Sequence, residues 1–270
     1  MLRTLSFFLI VTLVGVVSPE VFAQGESKAV QLPAKESFKI ILLLGQSNMA
    51  GRGFVEEEDR VPIPRVYMLD KNNEWVPAVE PVHFDKPTAG VGPGREFARR
   101  LVESDPTVSV GLVPAACGGS SISDWKPGVF FKQTNSYPYD DAISRARRAM
   151  EDGILEAVLW RQGEADVSPN RAEKYESLFE EFVKRLRRDL NNVEAPFLVG
   201  ELKIVKGNMD GAERVKQAQL NVVKRNQPAG FVSADDVTLN PDNVHFDRKS
   251  QLEQGRRFFE VYSTLKSTGE

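Results

Sequence analysis

Apolar runs alternate with helical periodicities along most of this chain. Six short apolar runs, at 39–44, 66–69, 108–113, 157–160, 197–200 and 230–233, read as strands. Between and after them, apolar residues recur at three- and four-residue steps over 94–104, 140–152, 171–190, 212–225 and 248–265, which predicts helices. In 171–190 the repeating positions are Tyr175, Leu178, Phe179, Phe182, Val183 and Leu186, with charged residues between them. That stripe, and Leu252, Phe258, Phe259 and Tyr262 near the end of the chain, read as core-facing.

Strand and helix in turn imply an α/β fold, a mostly parallel sheet with helices on both faces. The alternation predicts one domain over 38–270. Two segments, 51–64 and 72–91, show neither periodicity. Long irregular loops in a compact α/β domain commonly border a site.

Outside the alternating region, residues 1–23 read as a signal peptide. One positive charge lies in the first four residues, an apolar run follows over 5–17, and Val21 and Ala23 carry the spacing for cleavage after Ala23. The run is shorter than the ~20 residues a spanning helix needs. Residues 24–37 are polar and read as a spacer. The expectation is an exported protein, periplasmic or secreted, with no membrane contact after cleavage. The one cysteine, Cys117, excludes an internal disulfide, so the core alone must hold the fold, and this thiol reads as buried packing. Hydrophobic residues make up 41% of the 270, enough for a sizeable core, and the formal net charge is only −3. Charges of both signs are interspersed without a basic stripe, which argues against nucleic acid as a partner.

Candidate chemistry gathers just past the predicted strands. The run Ile40 to Leu44 ends in Gly45-Gln46-Ser47-Asn48-Met49, which places a serine hydroxyl at the carboxyl edge of the sheet. The strand at 108–113 leads to Gly118-Gly119-Ser120, a turn whose backbone N–H groups can approach a ligand. The strand at 157–160 leads to Gln162-Gly163-Glu164-Ala165-Asp166, where an amide could donate to an anionic oxygen. Only two histidines exist, His83 and His245. His245 follows Asp242 by three residues, a spacing that lets the carboxylate hold one ring nitrogen while the other faces a serine. His83 is a second possible base, and Asp247 a second possible orienting carboxylate. Catalytic zinc is not expected, because there is no His-Glu-x-x-His and no cysteine pair. A phosphate loop lacks its Lys and Ser/Thr, no dinucleotide fingerprint follows a strand, and Met49 breaks the Gly-x-Ser-x-Gly elbow.

Gly45-Gln46-Ser47-Asn48-Met49, Gly118-Gly119-Ser120, Gln162-Gly163-Glu164-Ala165-Asp166 and Asp242-Asn243-Val244-His245, in this order, resemble the SGNH hydrolase superfamily. Within it they are similar to the sialate O-acetylesterase and acetylxylan esterase branch, carbohydrate esterase family six. The resemblance runs from about Lys39 to the last helix. It implies a three-layer α/β/α sandwich with a mostly parallel central sheet, of the SGNH or flavodoxin-like kind, and cofactor-free, metal-free ester hydrolysis with Ser47 as nucleophile, His245 as base and Asp242 as its orienting carboxylate. It further implies an oxyanion hole from the backbone N–H of Ser47, that of Gly119 or Gly118, and the Gln162 amide. Glu164 and Asp166 would orient the loop or meet the sugar, and Arg52, Trp75 and Trp125 are candidates to contact it. The implied partner is an O-acetylated glycan or small acetyl ester. A catalytically silent carbohydrate-binding protein and a broader lipase or thioesterase are the competing readings.

Overall fold

A computed structural model describes residues 30–268. The leader read at 1–23 and the first part of the 24–37 spacer lie outside the described residues.

Seven strands form one sheet: β1 (Phe38–Gly45), β2 (Val66–Leu69), β3 (Trp75–Pro77), β4 (Ser109–Pro114), β5 (Ile154–Arg161), β6 (Phe197–Gly200) and β7 (Ala229–Val232). Their spatial order is β3-β2-β4-β1-β5-β6-β7. Every pairing is parallel except that of β2 with β3. The helices are α1 (Ser47–Ala50), α2 (Pro93–Ser104), α3 (Pro138–Asp152), α4 (Pro169–Asp189), α5 (Met209–Arg225) and α6 (Arg248–Thr268).

The apolar run of β1 is buried on both sides because a central parallel strand faces helices above and below. Side chains alternate across a strand. Ile40, Leu42 and Leu44 join one core with Tyr175, Phe179 and Phe182 of α4, Ala142 and Ala146 of α3, and Val215 and Val222 of α5. Ile41 and Leu43 join the other with Phe97 of α2 and Phe258 and Tyr262 of α6. This is the sheet covered on both faces that the alternation implies, in the three-layer α/β/α arrangement that the resemblance implies.

Two differences from the sequence reading have simple causes. Helices α2, α3 and α4 start slightly earlier than the periodicity, because Pro93, Pro138 and Pro169 sit in their first turns, where the missing N–H is no loss. Strand β3 is too short and too proline-bounded to show a period, yet it pairs Trp75 with Leu69. Trp75 is buried, packs edge-on against Phe38 at 4.8 Å, and donates from Nε1 to Asp152 at 2.8 Å. It does not face a sugar, which corrects that expectation.

The irregular 72–91 segment buries two titratable groups with opposing pH behaviour. Glu80 accepts from the N–H of Val82 (2.9 Å) and of Gly92 (3.4 Å), but burial outweighs these bonds and pushes its carboxyl up to about 7. Burial pushes the His83 imidazole down to about 4, against the pull of Asp85. Glu80 thus contributes stability that is full below 4.5 and lost as pH rises through about 7. His83 contributes stability that is full above 6.5 and lost as pH falls through about 4. Between about pH 5 and 6 the two slopes cancel. Replacing His83 by Gln is expected to unmask the Glu80 slope, making unfolding free energy fall with pH by about 1.4 kcal/mol per unit relative to the parent. Urea denaturation of both proteins at several pH values checks this; parallel profiles would refute it.

Candidate active site

Three of the four candidate clusters lie directly past adjacent strands. The chain after β1 carries Ser47, that after β4 carries Gly118 and Gly119, and that after β5 carries Gln162 and Glu164. Since β4, β1 and β5 are parallel neighbours, these segments leave the same edge side by side. The fourth cluster, Asp242 to His245, comes from the loop between β7 and α6.

The strand edge is drawn tight at Gly45. Its φ is +124°, and a Cβ there would stand 2.0 Å from the Arg161 carbonyl. Only glycine allows the close approach in which the Gln46 N–H donates to that carbonyl at 2.8 Å. The chain then turns into α1, with Ser47 at its first position and 6% exposed.

His245 Nε2 lies 3.0 Å from Ser47 Oγ, and His245 Nδ1 lies 2.6 Å from Asp242 Oδ2. The other oxygen, Asp242 Oδ1, accepts the backbone N–H of Val244 and of His245, both at 2.9 Å. The carboxylate therefore fixes both the ring and the loop that bears it. Partial burial opposes its charge, but the His245 backbone N–H, the His245 ring and the Val244 N–H outweigh that and hold the carboxyl down to about 2. It stays ionised throughout the neutral range, as a group that must stabilise an imidazolium requires.

Asn48 ties this loop to the serine. Its Nδ2 donates to Glu164 Oε1 (2.9 Å) and to the Val244 carbonyl (3.3 Å), and its Oδ1 accepts the Phe246 N–H (3.0 Å). The residues on both sides of His245 are thus bonded to the residue after Ser47. Phe246 itself is fully buried beneath the Arg161 guanidinium, 4.8 Å from its ring centre. Asn48 stands in the quoted motif without an assigned role; its position beside the serine was its only signal, since its partners are distant in sequence.

The donors expected around the oxyanion divide. Among the described residues, the N–H groups of Ser47 and Gly119 donate to no protein acceptor. The Gly118 N–H is already taken by Asp85 Oδ2 at 2.9 Å. Gln162 is fully buried, with Nε2 within 2.5 Å of Asp166 Oδ2, 3.0 Å of the Ser120 carbonyl and 3.3 Å of Gln46 Oε1. An amide has two N–H groups, so these acceptors exhaust it. Gly118 and Gln162 therefore do not present free donors here, and both act on the shape of the turn instead. Asp166 joins the two turns, accepting the Ile122 N–H at 2.9 Å as well, and burial raises its carboxyl above the ordinary range.

The sugar-contact candidates are also redistributed. Trp125 has no exposed surface; it packs edge-on against Trp160 at 5.1 Å and donates from Nε1 to Ser120 Oγ at 3.0 Å. It is core because a 3₁₀ turn over Ile122–Asp124 folds it inward. Arg52 forms a buried pair with Asp85 at 2.7 Å, with side chains 7% and 3% exposed. The same Asp85 oxygen holds Gly118, so Arg52 braces the turn. Glu164 accepts from Asn48 through Oε1, while its Oε2 is buried with no protein partner among the described residues. Of the alternative acid–base groups, His83 is buried with Nε2 lacking a partner. Asp247 accepts the Ser250 N–H (2.8 Å) and the Thr238 hydroxyl, so it caps α6 rather than touching His245. Cys117 is buried, and burial raises its thiol to about 11, which suits packing. Among the described residues no cluster of His, Cys, Asp or Glu could hold a metal ion.

A family model described as carbohydrate esterase, sialic acid-specific acetylesterase, matches residues 37–264. The chain belongs to this family. It is an acetylesterase, a carboxylic ester hydrolase with carbohydrate-esterase relatives. One relative, described as a probable carbohydrate esterase of Arabidopsis thaliana, is 33% identical over 261 residues, covering 88% of this chain and 95% of that protein. The crystal structure of the Arabidopsis thaliana protein superposes with a TM-score of 0.74 at 30% identity, covering 85% of this chain and 98% of that one. The fold is shared with NanS, at TM-score 0.70 and 18% identity over 88% of this chain and all of that one. It is shared also with a carbohydrate acetylesterase from Xanthomonas citri, at TM-score 0.66 and 19% identity over 87% of this chain and 57% of that one.

Proposed function

We propose that this acetylesterase removes O-acetyl groups from carbohydrates through a Ser47–His245–Asp242 triad and an acyl-enzyme intermediate. The observation that carries the reading is the unbroken line of contacts Ser47 Oγ–His245 Nε2–His245 Nδ1–Asp242, at 3.0 and 2.6 Å. His245 takes the Ser47 proton as Oγ attacks the acetyl carbonyl. The carbonyl oxygen, now anionic, is received by the N–H groups of Ser47 and Gly119. The C–O bond to the sugar breaks, and the sugar oxygen leaves with the proton from His245. Water, deprotonated by His245, then attacks the acetyl-serine; the proton returns to Ser47 and acetate departs. Asp242 keeps its charge throughout and stabilises the imidazolium.

Acetylated xylan and O-acetylated sialic acid are the substrate types we favour, from the family's description and the motif resemblance. Acetate release from each, measured with the purified chain from residue 24, tests the reading. Turnover of an acetylated glycan is the expected result. A folded protein that releases acetate from neither glycan nor from 4-nitrophenyl acetate would refute it. Export rests on the leader pattern of residues 1–23, and its check is the amino-terminal sequence of the exported protein, expected to begin at Gln24.

A further inference from the structure

Beside the turn that bears Gly119, a cavity of about 310 Å³ opens between the carboxyl end of β4 and helix α3. Its floor is the run from Pro114 to Cys117. This run lies against β1: the Ala115 N–H donates to the Leu43 carbonyl at 3.0 Å and the Cys117 N–H to the Gly45 carbonyl at 2.8 Å. Ser47 is two residues beyond Gly45, a reach of at most ~7 Å of extended chain. The cavity and the reactive serine are therefore neighbours on one edge, separated by the Cys117–Gly118 turn, and neither Ser47 nor His245 lines it.

Its walls combine an aromatic face with unused polar groups. Phe84 is 49% exposed although one side of its ring lies 5.0 Å from the Arg145 guanidinium. Arg145 is itself fixed by the carbonyls of Pro114, Leu69 and Asp70 and by Asn73 Oδ1 (2.8 Å). That last bond orients the Asn73 amide, whose Nδ2 donates to no protein group among the described residues. Lys71 and Ser144 line the same space, and among the described residues Lys71 has no carboxylate partner. An apolar ring face beside an oriented amide, a hydroxyl and an ammonium group suits a pyranose, which offers a C–H face and a rim of hydroxyls.

Resting on the esterase reading above, we propose that this cavity is a sugar subsite, holding a ring of the glycan adjacent to the acetylated one. Phe84 stacks on the ring, and Asn73 and Ser144 meet its hydroxyls. The acetyl-bearing ring then reaches Ser47 across the Cys117–Gly118 turn. The subsite makes the enzyme prefer oligosaccharide esters to small acetyl esters.

Two variants test it by different means. Phe84→Ala removes the stacking face, and Ser144→Tyr, at an exposed helix position, fills the space. Calorimetric binding of unacetylated xylohexaose and of sialylated oligosaccharides is compared with the parent's. At least one is expected to bind the parent, and both variants to weaken its Kd by five-fold or more. The ratio of kcat/KM on the acetylated oligosaccharide to that on 4-nitrophenyl acetate should fall by a similar factor, through KM. Unchanged Kd and unchanged ratio in folded variants, or a parent that binds none of the sugars, would overturn the subsite. A parent that binds the oligosaccharide but turns over no acetyl ester would leave the subsite standing and remove the esterase reading.

Discussion

Ser47→Ala is expected to lower kcat/KM on acetyl esters by about 10⁴-fold while leaving the fold intact. In the proposed triad the deleted oxygen is the attacking atom, and it lies 3.0 Å from a histidine that is itself held at 2.6 Å by an ionised carboxylate. Alanine suits the first turn of α1, and the loss of one hydrogen bond should change stability by only about 1 kcal/mol. His245→Ala should fall to the same floor, because a nucleophile without its base and a base without its nucleophile are equally idle. The double variant should lose no more than either single one. Steady-state kinetics with circular dichroism as the folding control decides this. Losses that multiplied in the double variant would mean that the two residues act in separate steps, and the shared triad would have to be abandoned.

What the sequence made legible follows from how local each signal is. The run Ile40 to Leu44 announces a buried parallel strand because both its faces are apolar, and Tyr175, Phe179 and Phe182 announce α4 because their spacing matches one helical face. Ser47, Asp242 and His245 are recognisable because the resemblance rests on short contiguous motifs, and the structure brings the three side chains into contact. Burial was not legible where it depends on a turn. Trp125 looks like a sugar platform until Ile122–Asp124 folds it against Trp160. Arg52 looks like a free cation until Asp85, 33 residues away, closes on it. The hydrogen bonding of Gln162 was equally hidden, because its acceptors include Ser120, 42 residues earlier, and a carboxylate kept buried within its own turn. Phe84, half exposed, lies in a segment with no period at all, between a buried histidine and an aspartate whose side chain is buried.

Asn48→Ala is expected to reduce kcat by about 100-fold with little change in KM for a small ester, and to destabilise the protein by about 2–3 kcal/mol. The residue is fully buried, and truncating it leaves the Phe246 N–H and Glu164 Oε1 without the partners they have now. Each buried group left unpaired costs about 1–3 kcal/mol. The kinetic effect has a different origin. His245 stands between two residues bonded to Asn48, so the amide sets where the ring sits relative to Ser47. A displacement of ~1 Å at a reacting geometry can cost 10²-fold. Substrate binding does not pass through Asn48, which is why the loss should fall on kcat. Asn48→Asp sharpens the test. It keeps an acceptor for the Phe246 N–H but sets a second carboxylate against Glu164, so it should lose activity while Asn48→Ala/Glu164→Ala recovers none. Thermal unfolding and Michaelis kinetics on 4-nitrophenyl acetate read both effects. If Asn48→Ala keeps kcat within three-fold, then the Asp242 turn and the Asn240 N–H bond to the His245 carbonyl at 2.7 Å suffice to place the imidazole. In that case Asn48 stabilises the fold without positioning the base.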